Sequence, residues 1–472
     1  MSTYKPPGAR GDKRLNSTNY DHPQETNLLN VHKAMDYNLS GQPVLRVKTA
    51  IGPGDDGGLT SKGRQKVSPY ETVFFNTFQY GVETDVWETD VTGTGSATHQ
   101  LASSQILMSI NGDSGDKVIR QTLLVQTYIP GRTSTVNFAV TLGTPVEGIR
   151  KRFGMFNQAG DGFWFEDSGV WADGAPIYNC TVSNGGSDIA VPRSEWNGDK
   201  LDGTASPSGI TADPTKIQIV SIEYEWYGAG QVKFGFVIDG ATRIIHTHQT
   251  ANRYVDPWAQ TPFLPIRMEI EAISTVAGGP YTILQGSNSL ITEGTVGRTG
   301  IAQNISSPFY GTRMDNALTS AVTKDNWYPI LSIRLKSTAL NGIVLPQAFQ
   351  VATIDNTNVF YKLVRNATIP AEVTAGADGP QPWLDHPDPD GFTQYQTYIN
   401  PTNITVANHG RVLDSGFVIS DGGGIGIELG GKTAYQLGRT NLGSVSDVIT
   451  ILCATNNTNK DALASMTWIE RR

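Results

Sequence analysis

The stretch from Ile222 to Gly240 limits the fold more than any other part of the chain. Ile222, Tyr224 and Trp226 alternate with Glu223 and Glu225; Gly228-Ala229-Gly230 interrupts the pattern; Val232, Phe234, Phe236 and Ile238 resume it before Asp239-Gly240. Successive side chains of an extended chain point to opposite faces, so this pattern is a β-hairpin with one apolar face and one face carrying the two glutamates. Glycine in the connections permits the positive φ that tight hairpins need. Such a hairpin must lay its apolar face on another sheet, because two strands alone bury too little surface. The theme recurs. Val136, Phe138 and Val140 alternate within residues 135–142, after a strand-like run over 118–129 that Pro130-Gly131 ends. Ile266, Met268 and Ile270 share one face, and Arg267, Glu269 and Glu271 the other. No stretch of fifteen residues carries an amphipathic helical stripe. Many short strands, frequent turns and almost no helix predict an all-β chain of packed sheets.

The 472-residue length points to more than one unit, and the 51 Gly and 25 Pro are spread along it as turns are. Residues 1–66 show neither a period of 2 nor one of 3.6. They are rich in Pro, Gly, Asn, Asp and Lys and read as an extended N-terminal arm. Residues 67–310 form a first β-sandwich and residues 311–472 a second. Strands of the second are expected at 327–335, 348–354, 359–364, 412–420, 448–453 and 466–470. Asp355-Asn356-Thr357-Asn358 reads as a hairpin loop joining the second and third of these.

The net charge of -8 is unevenly placed. Through Lys66 there are ten Lys and Arg against six Asp and Glu, a balance of +4, which leaves -12 for the body. A basic arm on an acidic body suits docking on a negative partner, and the body has no basic field for nucleic acid. Two cysteines, Cys180 and Cys453, are too few for a disulfide framework and read as small buried apolar side chains. No signal-peptide layout and no apolar run near the roughly 20 residues of a membrane span is visible, so synthesis in a reducing cytoplasm is expected. In that setting Asn304-Ile305-Ser306 is a chance match to a glycosylation triplet, as Arg10-Gly11-Asp12 is to an integrin tripeptide.

Several segments carry a recognisable pattern. They are Arg152-Phe153-Gly154-Met155-Phe156-Asn157, Gly162-Phe163-Trp164-Phe165-Glu166, Trp196-Asn197-Gly198-Asp199-Lys200-Leu201-Asp202-Gly203, Glu225-Trp226-Tyr227-Gly228, Val232 to Gly240, and Pro262-Phe263-Leu264-Pro265-Ile266-Arg267. Over about residues 70–290 the chain resembles virion structural proteins of large and marine tailed phages. The resemblance implies a jelly-roll or lectin-like sandwich on the particle exterior, and no functional residue follows from it. Read directly, Trp196 and Trp226 are core anchors, and Asn197-Gly198 and Asp202-Gly203 are turns.

Five features invite a chemical reading. Gly426-Ile427-Glu428-Leu429-Gly430-Gly431-Lys432-Thr433 fits the phosphate-loop spacing, but Ile425, Ile427 and Leu429 alternate as a strand does, and no βαβ series surrounds them. His246 and His248 are two apart, so a strand puts both on one face within reach of one metal, yet no third ligand follows. Asp385, Asp388, Asp390 and Gly391 have the composition of a calcium loop without its spacing. Glu223 and Glu225 resemble the paired carboxylates of glycosidases but read as solvated. Trp171 and Trp258 could form an aromatic platform for sugars, or pack in the core. No residue is assigned as catalytic, cofactor-binding or metal-ligating, and no cofactor is expected.

The expectation is therefore a non-enzymatic structural component of a bacteriophage virion, exterior and capsid- or tail-associated, anchored by its arm to other virion proteins. It is expected to self-associate, with a trimer as one form, since sandwich edges need covering, and not to contact nucleic acid or enter a membrane. The alternative is a carbohydrate-binding host-adsorption protein that contacts a host glycan. A weaker one is a polysaccharide depolymerase.

Overall fold

The computed structural model describes residues 69–170, 174–204, 207–294, 300–308, 312–314, 326–353, 357–419, 424–430, 433–455, 457 and 459–471, together with two short strands, Met35–Tyr37 and Pro43–Leu45, which pair antiparallel. The remainder of the expected arm lies outside the described residues, as does Arg10-Gly11-Asp12. The described chain is almost all β, arranged as two β-sandwiches. Only short 3-10 turns such as Arg193–Glu195 interrupt the strands. No helix among the described residues is long and apolar enough to cross a membrane.

The first sandwich packs a seven-strand sheet on an eight-strand sheet. The seven strands run, in spatial order, Ser187–Pro192, Pro176–Asn184, Gly162–Val170, Ile149–Phe156, Ile266–Ala272, Lys117–Thr122 and Trp87–Thr92. Facing them are Ala241–Gln249, Gln231–Ile238, Gln218–Tyr224, Ser134–Thr141, Tyr281–Glu293, Gln105–Ile110 and Ser96–Gln100, with Tyr70–Asn76 also on Tyr281–Glu293. The hairpin legible in the sequence is there. Ile222 lies opposite Phe234 and Tyr224 opposite Val232, and all four are in the core. Asp239 (φ +53°) and Gly240 (φ +75°) make the tight turn that follows. Trp196 is buried, and the half-buried Trp226 donates its Nε1 to Ala259 O at 2.9 Å. Cys180 is in this core and Cys453 in that of the second sandwich, both as free thiols.

In the second sandwich, Ile343–Thr353 pairs with Lys460–Arg471 and Ile425–Glu428, whereas Val359–Arg365 belongs to the facing sheet, between Val448–Thr455 and Arg411–Val418. The two strands expected to pair as a hairpin therefore lie in facing sheets, and Asp355 and Asn356 of the expected loop lie outside the described residues. Alternation is the same for both arrangements, because each strand still has one inward face. Phe349 and Tyr361 meet across the core, edge to face, with ring centroids 5.4 Å apart.

The face of Glu223 and Glu225, read as solvated, is a second correction. Glu223 and Glu225 are buried, as are Arg267 and Glu269 on the strand Ile266–Ala272. Glu269 accepts from Arg152 Nε at 2.6 Å and Arg267 Nε at 3.0 Å. Burial opposes its ionisation, but Arg267 and Arg152 outweigh burial and hold its pKa at about 2. A buried carboxylate between two guanidiniums leaves uncompensated charge when removed. Glu269→Ala is expected to lower the unfolding free energy by about 3–5 kcal/mol. Glu271→Ala, in the more open pair with Arg150 and Lys117, should lose about 1 kcal/mol or less. Urea denaturation of both variants checks this; equal losses would refute it.

Candidate ligand-binding site

Three loops meet at one end of the first sandwich: residues 157–161, the turn at 184–187, and residues 250–263 between Ala241–Gln249 and Ile266–Ala272. The buried carboxylate of Asp161 joins them. Its Oδ1 accepts from Gly185 N at 2.9 Å and Gln260 N at 2.7 Å, and its Oδ2 from Thr261 N at 3.1 Å. Asn184 Nδ2 adds a bond to Pro257 O at 2.7 Å. Backbone donors that no strand can satisfy are thereby satisfied by a charge, which gives stronger bonds than neutral acceptors do.

Against these loops lies a cavity of about 330 Å³, lined by His248, Thr250, Tyr254, Trp258, Asp188 and Asn184 among others. Trp258 is 2% exposed, packing against Phe163 and Tyr224, so it is a wall of the cavity and not an exposed platform. Trp171 lies outside the described residues. Three of the lining side chains, His248, Thr250 and Trp258, are buried yet leave Nε2, Oγ1 and Nε1 without a hydrogen-bond partner among the described residues. An unmet buried polar atom costs about 1–3 kcal/mol, so three along one cavity call for a reason. They make a mixed set: the indole donates, the hydroxyl does both, and the neutral imidazole donates or accepts by tautomer. Burial, then the Arg253 charge, pushes His248 down to about 4, so its ring is neutral at pH 7. Tyr254 stacks on that ring at 5.3 Å and is 49% exposed, forming the mouth. A wider cavity of about 660 Å³ shares Thr250 and includes Tyr227, which is 51% exposed on the 225–231 turn.

The other candidates are scattered. His246 and His248 lie opposite Phe234 and Val232 and so turn inward; Asn197 N donates to His246 Nδ1 at 3.4 Å. Among the described residues no group of three or more His, Cys, Asp or Glu is placed to hold a metal ion. Asp385 pairs with Lys336 at 3.3 Å, while Asp388 accepts from Gln303 Nε2 at 2.6 Å and from Asp390 N at 3.1 Å. Ile425–Glu428 is a strand paired with residues 348–351, and Gly431 and Lys432 lie outside the described residues. Glu223 is joined to Lys233 at 2.9 Å. Asn304 sits within the strand Ile301–Ser306, paired with Thr467. Asp161, Thr250 and Tyr254 were not among the sequence candidates. The signal that could have found them was the run Tyr254-Val255-Asp256-Pro257-Trp258, aromatic yet without any period.

No family model and no curated protein matches the chain. Solved structures match about half of it. The carbohydrate recognition domain of Emp47p aligns at 10% identity over 48% of this chain and 97% of its own, with a TM-score of 0.31. A legume lectin-like domain from Entamoeba histolytica aligns at 11% over 47% and 97%, with a TM-score of 0.26. A putative β-glucanase from Mycobacterium abscessus aligns at 10% over 47% and 100%, with a TM-score of 0.32. Values this low carry nothing about what this chain binds.

The histidines give a pH test. Burial, then the neighbouring His248, pushes His246 down to about 4, as burial does His248. In the unfolded chain both titrate near 6.5, so the unfolded state binds the extra protons first as pH falls. Their contribution is complete above about 6.5 and is lost on descent to about 4, at most about 3 kcal/mol for each ring. Melting of the wild type and of His246→Gln/His248→Gln between pH 7 and 4.5 should show a shallower fall in the variant. Parallel curves would contradict the assignment.

Proposed function

We propose that the chain is a non-catalytic carbohydrate-binding protein whose loop-end cavity takes a sugar unit of a surface glycan. The observation that carries this is a cavity walled by His248, Thr250 and Trp258 beneath a half-exposed tyrosine. A sugar ring presents hydroxyls that donate and accept, and C–H faces that pack on aromatic rings such as Tyr254. The cavity volume suits one or two sugar units, at the small end of ligand sites. A neutral His248 favours hydrogen bonding over ion pairing. Catalysis is left out because Glu223 is engaged by Lys233 and Asp188 accepts from Ser183 Oγ at 2.6 Å.

The resemblance of residues 70–290 to tailed-phage virion proteins supports a setting on a particle exterior, where glycan contact is host adsorption. In this reading the arm joins other virion proteins. A purely structural exterior role is the second reading. It is favoured by Phe360 and Phe417, cross-strand neighbours, both exposed, with Phe417 on the outermost strand of their sheet, Arg411–Val418. Loss of particle incorporation on deleting residues 1–60 from an otherwise folded protein supports that setting; normal incorporation removes it.

Glycan-array binding tests the main reading. Wild type should retain at least one glycan class. Thr250→Trp, which fills the cavity, should abolish retention. Tyr254→Ala, at the exposed mouth, should weaken it about tenfold, the scale of one lost aromatic contact. No retention by wild type, or retention unchanged in both variants, would sink it.

A further inference from the structure

A separate cavity of about 400 Å³ lies between the two sandwiches. Its first wall is the far side of the Asp161-tied loops, with Asn157, Gln158 and Gln260; its second includes Ser337, Asn341 and Ser444. These six side chains are neutral amides and hydroxyls. The ionisable groups on the lining are Asp161 and Arg439. Asp161 is held by three backbone N–H groups.

Arg439 is a cation of a different kind. It is 3% exposed, and it donates to Leu340 O, Gly342 O and, at 3.2 Å, Leu437 O. A guanidinium has five N–H groups, so these three bonds leave two over. Among the described residues no carboxylate lies within ion-pair distance of it. Asp447 acts on Arg439 from beyond that distance and is shared with Arg365, 3.6 Å from its Oδ2, while its Oδ1 accepts from Asn366 Nδ2 at 2.7 Å. Burial pushes the pKa of Arg439 down to about 9, which still leaves it charged at pH 7. The hydrogen bonds of this buried cation all go to carbonyl oxygens, and the one carboxylate that acts on it is shared with Arg365, so Arg439 is only partly balanced on the wall of a cavity otherwise lined by sugar-type hydrogen-bonding groups.

We propose that this cleft binds a carboxylated sugar, a uronic-acid unit, with its carboxylate on Arg439 and its hydroxyls on the amides and hydroxyls of both walls. Two N–H groups of one guanidinium suit the two oxygens of a carboxylate. The walls are fixed beforehand: Arg439 N donates to Leu123 O at 2.8 Å, and Glu88 accepts from Asn441 N and Leu442 N at 2.8 and 2.7 Å. The site shares no lining residue with the loop-end cavity.

Calorimetric titration of the full chain with D-glucuronate, D-glucose and inorganic phosphate tests it. Glucuronate should bind at least tenfold tighter than glucose and phosphate. Ser337→Trp and Asn341→Trp, which narrow the cleft and leave Arg439 in place, should abolish the difference, and Thr250→Trp should leave it unchanged. Arg439→Lys, which keeps the charge and loses the fork, should weaken glucuronate toward glucose. The proposal fails if wild type does not bind glucuronate, if glucose binds equally, if phosphate binds equally and the site is an anion hole without sugar recognition, or if folded cleft variants bind as wild type does. The three-ligand comparison on wild type is decisive without any variant.

Discussion

Three backbone N–H groups from two other loops end on the one carboxylate of Asp161, and both cavities of interest depend on that meeting. Strand ladders satisfy the backbone within a sheet, but at the end of a sandwich the connecting loops have no ladder. A neutral acceptor would hold them weakly. Bonds to a charged group contribute about 1.5–3 kcal/mol each, enough to fix loops that contribute little apolar burial of their own. The segment 257–261 then has two faces. Pro257 and Trp258 line the loop-end cavity, and Gln260 and Thr261 line the inter-sandwich cleft.

The same rule, that buried charge must be answered, gives opposite results elsewhere according to the number of partners. Glu269 meets two guanidiniums and stays ionised against burial, with a pKa of about 2. Asp167 is also buried, but burial prevails over the single Lys151 at 3.7 Å and raises it to about 6. Lys151 divides itself between Asp167 and the carbonyls of Leu142 and Thr144 at 2.5 and 3.3 Å, so its charge is shared out. Arg120, inside the core, relies on Gln285, Thr89 and the Val82 carbonyl and lies over Phe78 and Trp87. Arg439 has carbonyls only. The series runs from fully answered charge to a charge whose hydrogen bonds are all to neutral carbonyls and whose one acting carboxylate, Asp447, is shared with Arg365.

The hairpins at 218–240 were legible because alternation and turn chemistry are local. Val136, Phe138 and Val140 lie inward for the same reason. Which sheet a strand joins is not local. Residues 343–353 and 359–365 alternate as a hairpin would, yet they lie in facing sheets, with Phe349 packed on Tyr361 between them. The sign of a face is not local either. Glu223 looked solvated because its partner, Lys233, comes from the neighbouring strand. Of the loop-end site, His248 and Trp258 were visible as residue types. The rest was not, because Asp161 and Thr250 stand out only when loops about 100 residues apart in sequence are brought together.

Both cavities are built in advance of any ligand. Gln436 Nε2 reaches Val125 O at 3.0 Å and Arg471 Nη1 reaches Thr127 Oγ1 at 3.1 Å, which ties the second sandwich to the first alongside the Glu88 bonds. Val125, Ile343 and Leu345 make a small apolar contact on the same seam, with Phe263 against them. A ligand entering the cleft therefore does not have to order two domains first, which is a main drain on binding free energy. Hydroxyl-rich ligands gain little from apolar burial and exchange water hydrogen bonds for protein ones, so their net affinity per contact is small. For such ligands a wall fixed beforehand decides whether binding is measurable, and Asp161 fixes a wall of each cavity.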